Sequence, residues 1–373
     1  MGASAALERM AARVLDFIDH QGEAPLDGSE EVEATFDALA LDVFEFQYAN
    51  SPIYRAFCDR RKKNPDTVET WREVPAIPTT AFKRLDLACA PAEKTFLTSG
   101  TTEGEEARGQ HHVPRLELYH RSALSHFRRM VLPDKVHPFL VGFLGSPDQL
   151  PNSSLTQMVE WIRQDICDGE GEYLLGQDSF EPQHAITRLE EIAEAGRPLC
   201  IIGVRVALTA LLEYCASKDR GIELPSDSRI VDTGGPKGGR ALSDAGFLNA
   251  CWHRLGIPGY FCINEYGMTE LCSQYYDDVL SERFRGTNEK RRKVGPAWLR
   301  PQVVDPDSLE PLPDGESGLL CHFDLANALS VPAVQTEDLG ILEGNRFRLL
   351  GRAPGSEPRG CALALSDLLA GTP

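Results

Sequence analysis

The chain has 373 residues, of which 42% are hydrophobic and 8% aromatic; this is enough for one or two packed cores and excludes a mostly disordered protein. Its 56 acidic residues outnumber 38 basic ones, and the formal charge of -18 argues against general nucleic-acid binding because it repels phosphate backbones. Ten cysteines without a C-x-x-C pair predict neither a disulfide framework nor a cysteine-rich zinc site. Free thiols are typical of the reducing cytoplasm, where we expect this protein.

Apolar residues at helical spacing predict an amphipathic helix at the start of the chain. Leu7, Met10, Val14 and Phe17 share one face, and charged residues interrupt them. This pattern differs from a signal peptide. No apolar run approaches the ~20 residues that cross a bilayer, so we expect no membrane span.

Short apolar runs and helical patterns then alternate along the chain. The runs at 139–144, 199–202, 230–231 and 260–263 indicate buried strands. Helical patterns cover 155–166, 185–195, 206–218 and 242–255. This alternation predicts an α/β layered fold whose chemistry lies in loops at the sheet ends.

The composition changes after about residue 295. Prolines at 301, 306, 311 and 313 separate shorter apolar pieces such as 319–323, a pattern that indicates a smaller β-rich part. We therefore predict an α/β core over residues 1–295, followed by a β-rich subdomain and short tail over residues 296–373.

A glycine-rich segment with several hydroxyl side chains follows the hydrophobic pair Phe96 and Leu97. Glycines let successive backbone N–H groups face an anion, and hydroxyls add donors, so the segment suits phosphate. Its candidate ligands are Thr98, Ser99, Gly100, Thr101, Thr102 and Gly104. It lacks the GK[ST] ending of a Walker A loop, and taken alone it is more typical of a polar surface turn than of a phosphate site.

Two further segments carry candidate ligands. Residues 264–270, with the sequence NEYGMTE, follow a predicted strand; there a ring can stack on a nucleobase, a threonine can reach a phosphate and a carboxylate can hold magnesium. Residues 335–340 form a predicted acid-rich turn in which Asp338 can bind ribose hydroxyls. Each segment by itself is also explained as a structural turn.

Two adjacent histidines, His111 and His112, follow the glycine-rich segment. We expect an exposed pair on a strand or loop, because no further metal ligand lies at suitable spacing.

The order of these motifs resembles that of the adenylate-forming superfamily of acyl-CoA synthetases, luciferases and peptide-synthetase adenylation domains. A TSGTT segment near residue 100 precedes a Gly-Gly-Pro turn at 234–236, Tyr-Gly-x-Thr-Glu at 266–270, Thr-x-Asp-x-Gly at 336–340 and a Gly-Arg pair at 351–352. The resemblance spans roughly residues 70–361. Within this superfamily, segments 71–78, 151–155 and 355–361 resemble the acyl-protein synthetase family, the fatty-acid-activating component of the bacterial bioluminescence fatty acid reductase.

The resemblance implies a role for each matching residue. The ATP phosphates would be bound by Ser99, Gly100, Thr101, Thr102 and Gly104, and the adenine bordered by Gly234, Gly235 and Pro236. The Tyr-Gly motif would supply further nucleotide contacts through Glu265, Tyr266 and Gly267, with Tyr266 stacked on adenine. Thr269 would contact the α-phosphate, Glu270 would hold Mg²⁺ and Asp338 the ribose, while Arg352 matches a hinge-proximal arginine and Cys361 the acyl-accepting thiol.

The implied activity is ATP-dependent conversion of a carboxylic acid, a fatty acid, to acyl-AMP, followed by transfer to a protein cysteine that supplies an acyl reductase partner. Two departures accompany it. Glu105, Glu106 and Ala107 replace the usual Pro-Lys, and the chain ends soon after Arg352, where the superfamily has a mobile lysine-bearing domain. We expect Lys83, Lys237 or Arg352 to compensate for that lysine.

The alternative functions are an aryl- or acyl-CoA ligase that uses free coenzyme A, a nucleotide-binding protein without catalysis, and a scaffold subunit that only binds the reductase.

Overall fold

The computed structural model describes residues 2–22, 28–98, 108–175, 181–235, 242–286 and 290–353. The α-helices in these ranges are α1 (Gly2–Gln21), α2 (Glu30–Asn50), α3 (Pro52–Arg60), α4 (Leu116–Val131), α5 (Ser154–Asp165), α6 (Pro182–Ala193), α7 (Arg205–Ser217), α8 (Asp244–Leu255) and α9 (Val279–Phe284). The strands are β1 (Ile77–Pro78), β2 (Lys94–Leu97), β3 (Gln110–Val113), β4 (Phe139–Phe143), β5 (Gly171–Tyr173), β6 (Leu199–Val204), β7 (Arg229–Thr233), β8 (Cys262–Tyr266), β9 (Tyr275–Asp277), β10 (Lys293–Val294), β11 (Leu299–Val304), β12 (Ser317–Asp324), β13 (Ala333–Glu343) and β14 (Arg346–Arg352).

The described chain forms two compact units. Unit 1 contains the residues up to His126, the short stretch Met268–Tyr275 and the residues from Arg292 onward. Unit 2 contains Phe127–Gly267 and Tyr276–Arg291. Unit 1 thus joins the start of the chain to its C-terminal strands, and the predicted boundary near residue 295 stays a prediction.

Unit 2 contains a parallel sheet in the order β5-β4-β6-β7-β8. The central strand β6 consists of apolar residues that are nearly all buried, as expected of a parallel strand covered on both faces. Its neighbour β7 is also mostly buried but includes the charged residues Arg229 and Asp232. Helices α5 to α8 alternate with these strands, which confirms the α/β prediction. The strand predicted at 260–263 begins at Cys262 instead, because Gly259–Phe261 forms a 3₁₀ turn.

Unit 1 contains an antiparallel sheet in the order β11-β12-β13-β14-β10, with β1 added in parallel to the start of β13. The sequence indicated the β-rich character of this C-terminal part. It did not indicate that helix α2 packs against these strands. Phe36 of α2 contacts Phe323 of β12 edge-on, with ring centroids 5.9 Å apart, and Trp71 at 5.8 Å. Helix α2 and the C-terminal strands therefore share one core.

An ion pair between a buried arginine and a half-buried glutamate joins the same two layers. Arg300 of β11 donates from Nη2 to Glu33 Oε1 of α2 at 2.8 Å, and its guanidinium lies over the Phe36 ring, 4.6 Å from the centroid. Arginine suits this position because its flat cation can bind a carboxylate and stack on a ring together. No helix within the described ranges is long and apolar enough to cross a membrane.

Replacing Phe36 by alanine should lower the free energy of unfolding by about 3–5 kcal/mol, because the ring is 0% exposed and its removal leaves a cavity. Urea denaturation measures this change. The matched control is Phe284→Ala: that ring is 55% exposed, and the expected change is within about 0.5 kcal/mol. Equal losses in the two variants would contradict the assignment of Phe36 to a core shared by α2 and the C-terminal sheet.

Candidate active site

The predicted site residues divide into three sets. Outside the described residues lie Ser99, Gly100, Thr101, Thr102, Gly104, Pro236 and Cys361. Unit 2 contains Gly234, Gly235, Glu265, Tyr266 and Gly267. Unit 1 contains Thr98, Thr269, Glu270, Asp338 and Arg352.

The unit 2 set lies at the carboxyl-terminal ends of β7 and β8 in the parallel sheet. Strands β7 and β8 are neighbours with Thr233 opposite Glu265, so the Gly234-Gly235 and Tyr266-Gly267 pairs both follow the carboxyl ends of adjacent strands. The Thr233 hydroxyl donates to the Glu265 carboxylate, which ties these strand ends together. Gly234 has a φ of 80°, a left-handed conformation that favours glycine. The backbone therefore bends at the end of β7, and the predicted Gly-Gly-Pro turn stays a prediction because Pro236 lies outside the described residues.

Arg205, which the sequence did not indicate, holds the end of β7 in place. Its Nε donates to Asp232 of β7 at 2.7 Å, and its Nη2 donates to Asp244, the first residue of α8, at 3.0 Å. The Asn264 amide donates to the same Asp232 oxygen at 2.7 Å. One buried guanidinium thus connects the end of β7 with the beginning of α8, on either side of the Gly-Gly pair. The available signal was a lone arginine directly after an apolar strand.

In unit 1, Thr98 closes the base of the glycine-rich segment. Its N–H donates to the Gly109 carbonyl at 2.9 Å, and its hydroxyl accepts from the Gly109 N–H at 2.8 Å. These two bonds extend the β2–β3 hairpin by one pair. The Thr98 hydroxyl keeps its proton for a further acceptor, and its predicted contact with phosphate stays a prediction.

The Thr-Glu turn is held by buried side chains. Asn327 donates from Nδ2 to the Glu270 carbonyl at 2.8 Å. The Asp324 carboxylate accepts from the Cys272 N–H at 2.9 Å and from the Ser273 hydroxyl at 2.7 Å. The segment that contains Thr269 and Glu270 is therefore fixed although it belongs to no helix or strand.

Glu270, Asp338 and Arg352 lie close enough in unit 1 to influence one another. Glu270 is 8% exposed, and burial raises the pKa of its carboxyl to about 7, with a lowering contribution from Arg352 and a raising one from Asp338. Asp338 and Arg352 face each other across β13 and β14. Arg352 also approaches Glu337, with Nη2 3.3 Å from Oε2. The Arg352 side chain is 75% exposed, so solvent weakens its attraction to both Asp338 and Glu337.

The prediction of an acid-rich turn at 335–340 was wrong. These residues lie within β13 and pair with β12 on one side and β14 on the other. The acidic residues misled the sequence analysis because Glu337 and Asp338 are only half-buried, and a strand tolerates carboxylates where its side chains reach solvent. Asp338 nevertheless lies near Glu270, and its role at ribose stays a prediction.

The histidine pair is on a strand, as predicted, but His111 is buried, which contradicts the expected exposure. Burial lowers the pKa of His111 to about 4. His112 is half-buried and its Nδ1 lies 2.9 Å from the Thr95 hydroxyl oxygen. No group of three or more potential His, Cys, Asp or Glu ligands occurs among the described residues, so the structure supports no multi-ligand metal centre there.

Every cysteine in the described part of the chain is a free thiol. Burial raises the pKa of Cys58, Cys89 and Cys167 to about 12, so these side chains stay protonated at neutral pH. Because the thiolate is the reactive form, they are poor nucleophiles.

The raised pKa of Glu270 predicts a pH-dependent stability. The ordinary pKa is 4.5, so the group contributes its full stability below about pH 4.5 and loses it as the pH rises through about 7. Glu270→Gln stays neutral, so its unfolding free energy relative to wild type should rise by about 2 kcal/mol between pH 5 and pH 8. Urea denaturation at both pH values measures this. Glu223→Gln, at an exposed loop position, is the control, and a Glu270→Gln variant that tracks the wild type at both pH values would refute the burial effect.

Comparison with known proteins places this chain in a family. The sequence profile of the family described as "Acyl-protein synthetase, LuxE" matches residues 11–370. A protein named long-chain-fatty-acid–luciferin-component ligase from Aliivibrio fischeri is 24% identical over 91% of this chain and 90% of its own length.

The fold is shared with a solved ligase structure. A 2-hydroxyisobutyryl-CoA ligase, in complex with 2-HIB-AMP and CoA, aligns with a TM-score of 0.64 and 13% identity over 87% of this chain and 69% of its own. ATP-bound MatB from Rhodopseudomonas palustris aligns with a TM-score of 0.49 and 15% identity over 72% of this chain, which spans about half (48%) of that protein's length. The predicted adenylate-forming fold is confirmed. Since the family profile covers nearly the whole sequence, this chain belongs to the acyl-protein synthetase (LuxE) family.

Proposed function

We propose that this protein activates a long-chain fatty acid with ATP as an acyl-AMP and then transfers the acyl group to a cysteine of a protein. Its family membership identifies it as an AMP-forming ligase. The observation that carries the proposal within the structure is Glu270: a buried carboxyl in the Tyr-Gly-x-Thr-Glu motif, in the same neighbourhood as Asp338 and Arg352. The name of the Aliivibrio fischeri relative supports a long-chain fatty acid as the substrate.

The chemistry requires activation because a carboxylate is a poor electrophile. A carboxylate oxygen of the acid attacks the α-phosphorus of ATP, the bond from that phosphorus to the bridging oxygen breaks, and pyrophosphate leaves. A thiolate then attacks the acyl carbon of the mixed anhydride and AMP leaves, which yields a thioester. The protein contributes position and electrostatic stabilisation to both steps.

Unit 1 residues supply candidate polar contacts for the nucleotide. We assign the α-phosphate to the Thr269 hydroxyl and ribose to Asp338. Glu270 fits Mg²⁺ because that ion prefers carboxylate oxygens, and bound magnesium would stabilise negative charge on the phosphate oxygens. With a pKa of about 7, the Glu270 carboxyl must release its proton to bind the metal. The Arg352 guanidinium lies near the carboxyl groups of Glu270 and Asp338, so we assign to it part of the charge compensation.

The remaining assignments follow the family motifs. In unit 2 we assign adenine to Gly234, Gly235 and Tyr266, with Glu265 and Gly267 in the same motif. We also propose that the segment from Ser99 to Gly104 binds the ATP phosphates and that Pro236 borders the adenine. We further propose a cytoplasmic location and an acyl reductase as the protein that receives the acyl group.

The acceptor thiol is assigned to Cys361. It lies in the C-terminal segment that resembles the family, and Arg352 and Arg359 are close to it in the sequence, where their charges would favour the thiolate. The buried cysteines with raised pKa values support this assignment, because they are poor candidates for the same step.

The activation step is tested by ATP–pyrophosphate exchange with fatty acids of graded chain length. Asp338→Ala should raise the KM for ATP about tenfold, equal to about 1.4 kcal/mol of lost binding, with little change in kcat or in thermal stability. Asp307→Ala, which removes an exposed aspartate after β11, is the matched control and should leave the KM unchanged. Absence of exchange with every acid would refute the proposed activation, and an unchanged KM in Asp338→Ala would remove that residue from the site.

The transfer step is tested by labelling the protein with ATP, Mg²⁺ and a radioactive fatty acid. Neutral hydroxylamine should release the label, since it cleaves thioesters, and Cys361→Ser should abolish labelling while exchange persists, because adenylation precedes the thiol step. Cys89→Ser is the control and should label normally. An adduct on another cysteine, or acyl-CoA formation with free coenzyme A and no adduct, would favour the coenzyme A ligase alternative.

A further inference from the structure

His111 makes two hydrogen bonds that define the tautomer of its neutral ring. Its Nδ1 lies 2.7 Å from the Thr269 carbonyl oxygen, and its Nε2 lies 3.1 Å from the Ser330 hydroxyl oxygen. A carbonyl oxygen only accepts, so Nδ1 must carry the proton. In the neutral ring Nε2 then accepts from the Ser330 hydroxyl. Both nitrogens are therefore occupied by fixed partners.

The ring is also held by packing. His111 is 1% exposed, and Phe82 contacts it edge-on, with centroids 5.6 Å apart at an interplanar angle of 90°. On the hairpin, His111 is opposite Phe96, two pairs from the Thr98–Gly109 pair that closes the base of the glycine-rich segment. Its position is thus set by the strand that follows this segment.

The hydrogen-bond partner of the Thr269 carbonyl belongs to a different part of the chain from the partners of the neighbouring peptide groups. Asn327 binds the Glu270 carbonyl, and Asp324 binds the Cys272 N–H, and both belong to the stretch at the end of β12 and after it. Thr269 is bound from β3 by His111 instead. The imidazole consequently connects this turn to the hairpin.

We propose that His111 is a positioning residue for adenylation: through its Nδ1–H it holds the Thr269 carbonyl, and so sets Thr269 and Glu270 at a fixed distance from the β2–β3 hairpin. This inference rests on the proposed function. A role as general base is disfavoured because both nitrogens are already engaged and the ring lies in the interior. The effect on rate follows from geometry, since a displacement of about 1 Å at a reacting group can cost about a hundredfold in rate.

The test compares three variants in the full-length protein. His111→Phe keeps a ring against Phe82 but removes both hydrogen bonds, whereas His111→Asn keeps an N–H donor near the position of Nδ1. His112→Asn is the matched control on the adjacent residue. In ATP–pyrophosphate exchange, His111→Phe should lower kcat about 10- to 100-fold with less than about a threefold change in the KM for ATP, His111→Asn should recover to within about fivefold of wild type, and His112→Asn should match wild type.

A second measurement separates positioning from stability and from the proposed function. Hydrogen exchange of peptides that cover 266–275 should be faster in His111→Phe than in His111→Asn, and long-range ¹H–¹⁵N spectra of the wild-type imidazole should show the Nδ1–H tautomer without titration near neutral pH.

Each outcome decides the inference. A wild-type kcat in His111→Phe overturns it, as does a loss of activity that is the same in the Phe and Asn variants and parallels their loss of stability. An Nε2–H tautomer also overturns it. If the wild type shows no exchange with any acid, the proposed function fails, and the tautomer and the protection of 266–275 still decide whether His111 fixes the turn. If His111→Phe does not fold, His111→Gln replaces it, because that amide extends toward Nε2 and not Nδ1.

Discussion

An irregular piece of backbone in the interior must find hydrogen-bond partners for its peptide groups, and this requirement organises unit 1. Residues 270–273 are buried and form neither helix nor strand. An unpaired buried peptide group costs about 1–3 kcal/mol. Here side chains form hydrogen bonds with the peptide groups, because no neighbouring strand among the described residues does so. Asn327 and Asp324 provide such partners, and His111 binds the carbonyl of the preceding residue, Thr269. These three polar side chains, together with the backbone hydrogen bond from the Leu271 N–H to the Met268 carbonyl, therefore hold the Thr-Glu turn.

One of these partners, Asp324, is itself held by a directed hydrogen-bond network. The indole of Trp298 can only donate, and it donates to the Ser122 hydroxyl at 2.8 Å, which lies 2.8 Å from the Ser273 hydroxyl. Ser273 donates to Asp324, so every hydroxyl in the series donates in one direction, toward the carboxylate. Burial raises the pKa of Asp324 to about 6, and its several donors counteract that effect. Fully satisfied buried networks of this kind favour a single arrangement of the surrounding chain.

The sequence predicted the parts whose signal is local. Buried parallel strands such as β6 are apolar runs, and the helices between them carry a 3.6-residue period, so the α/β alternation was visible. The family motifs were visible because their order is preserved. What the sequence could not indicate depends on distant partners: the burial of His111 requires Ser330 and Thr269, and the packing of Phe36 requires Phe323. Composition misled at β13, where half-buried carboxylates on a strand resemble those of a turn.

The electrostatics of Glu270 link this architecture to the proposed chemistry. Enclosure of the turn removes water from the carboxyl and disfavours its charge, while the exposed Arg352 compensates only weakly because solvent screens it. A carboxyl with a pKa of about 7 exists as acid and anion in comparable amounts at neutral pH. A divalent cation that arrives with a nucleotide favours the anion and displaces the proton. The enclosure of the turn thus leaves both forms of Glu270 populated at neutral pH, and what binds there decides which of them prevails.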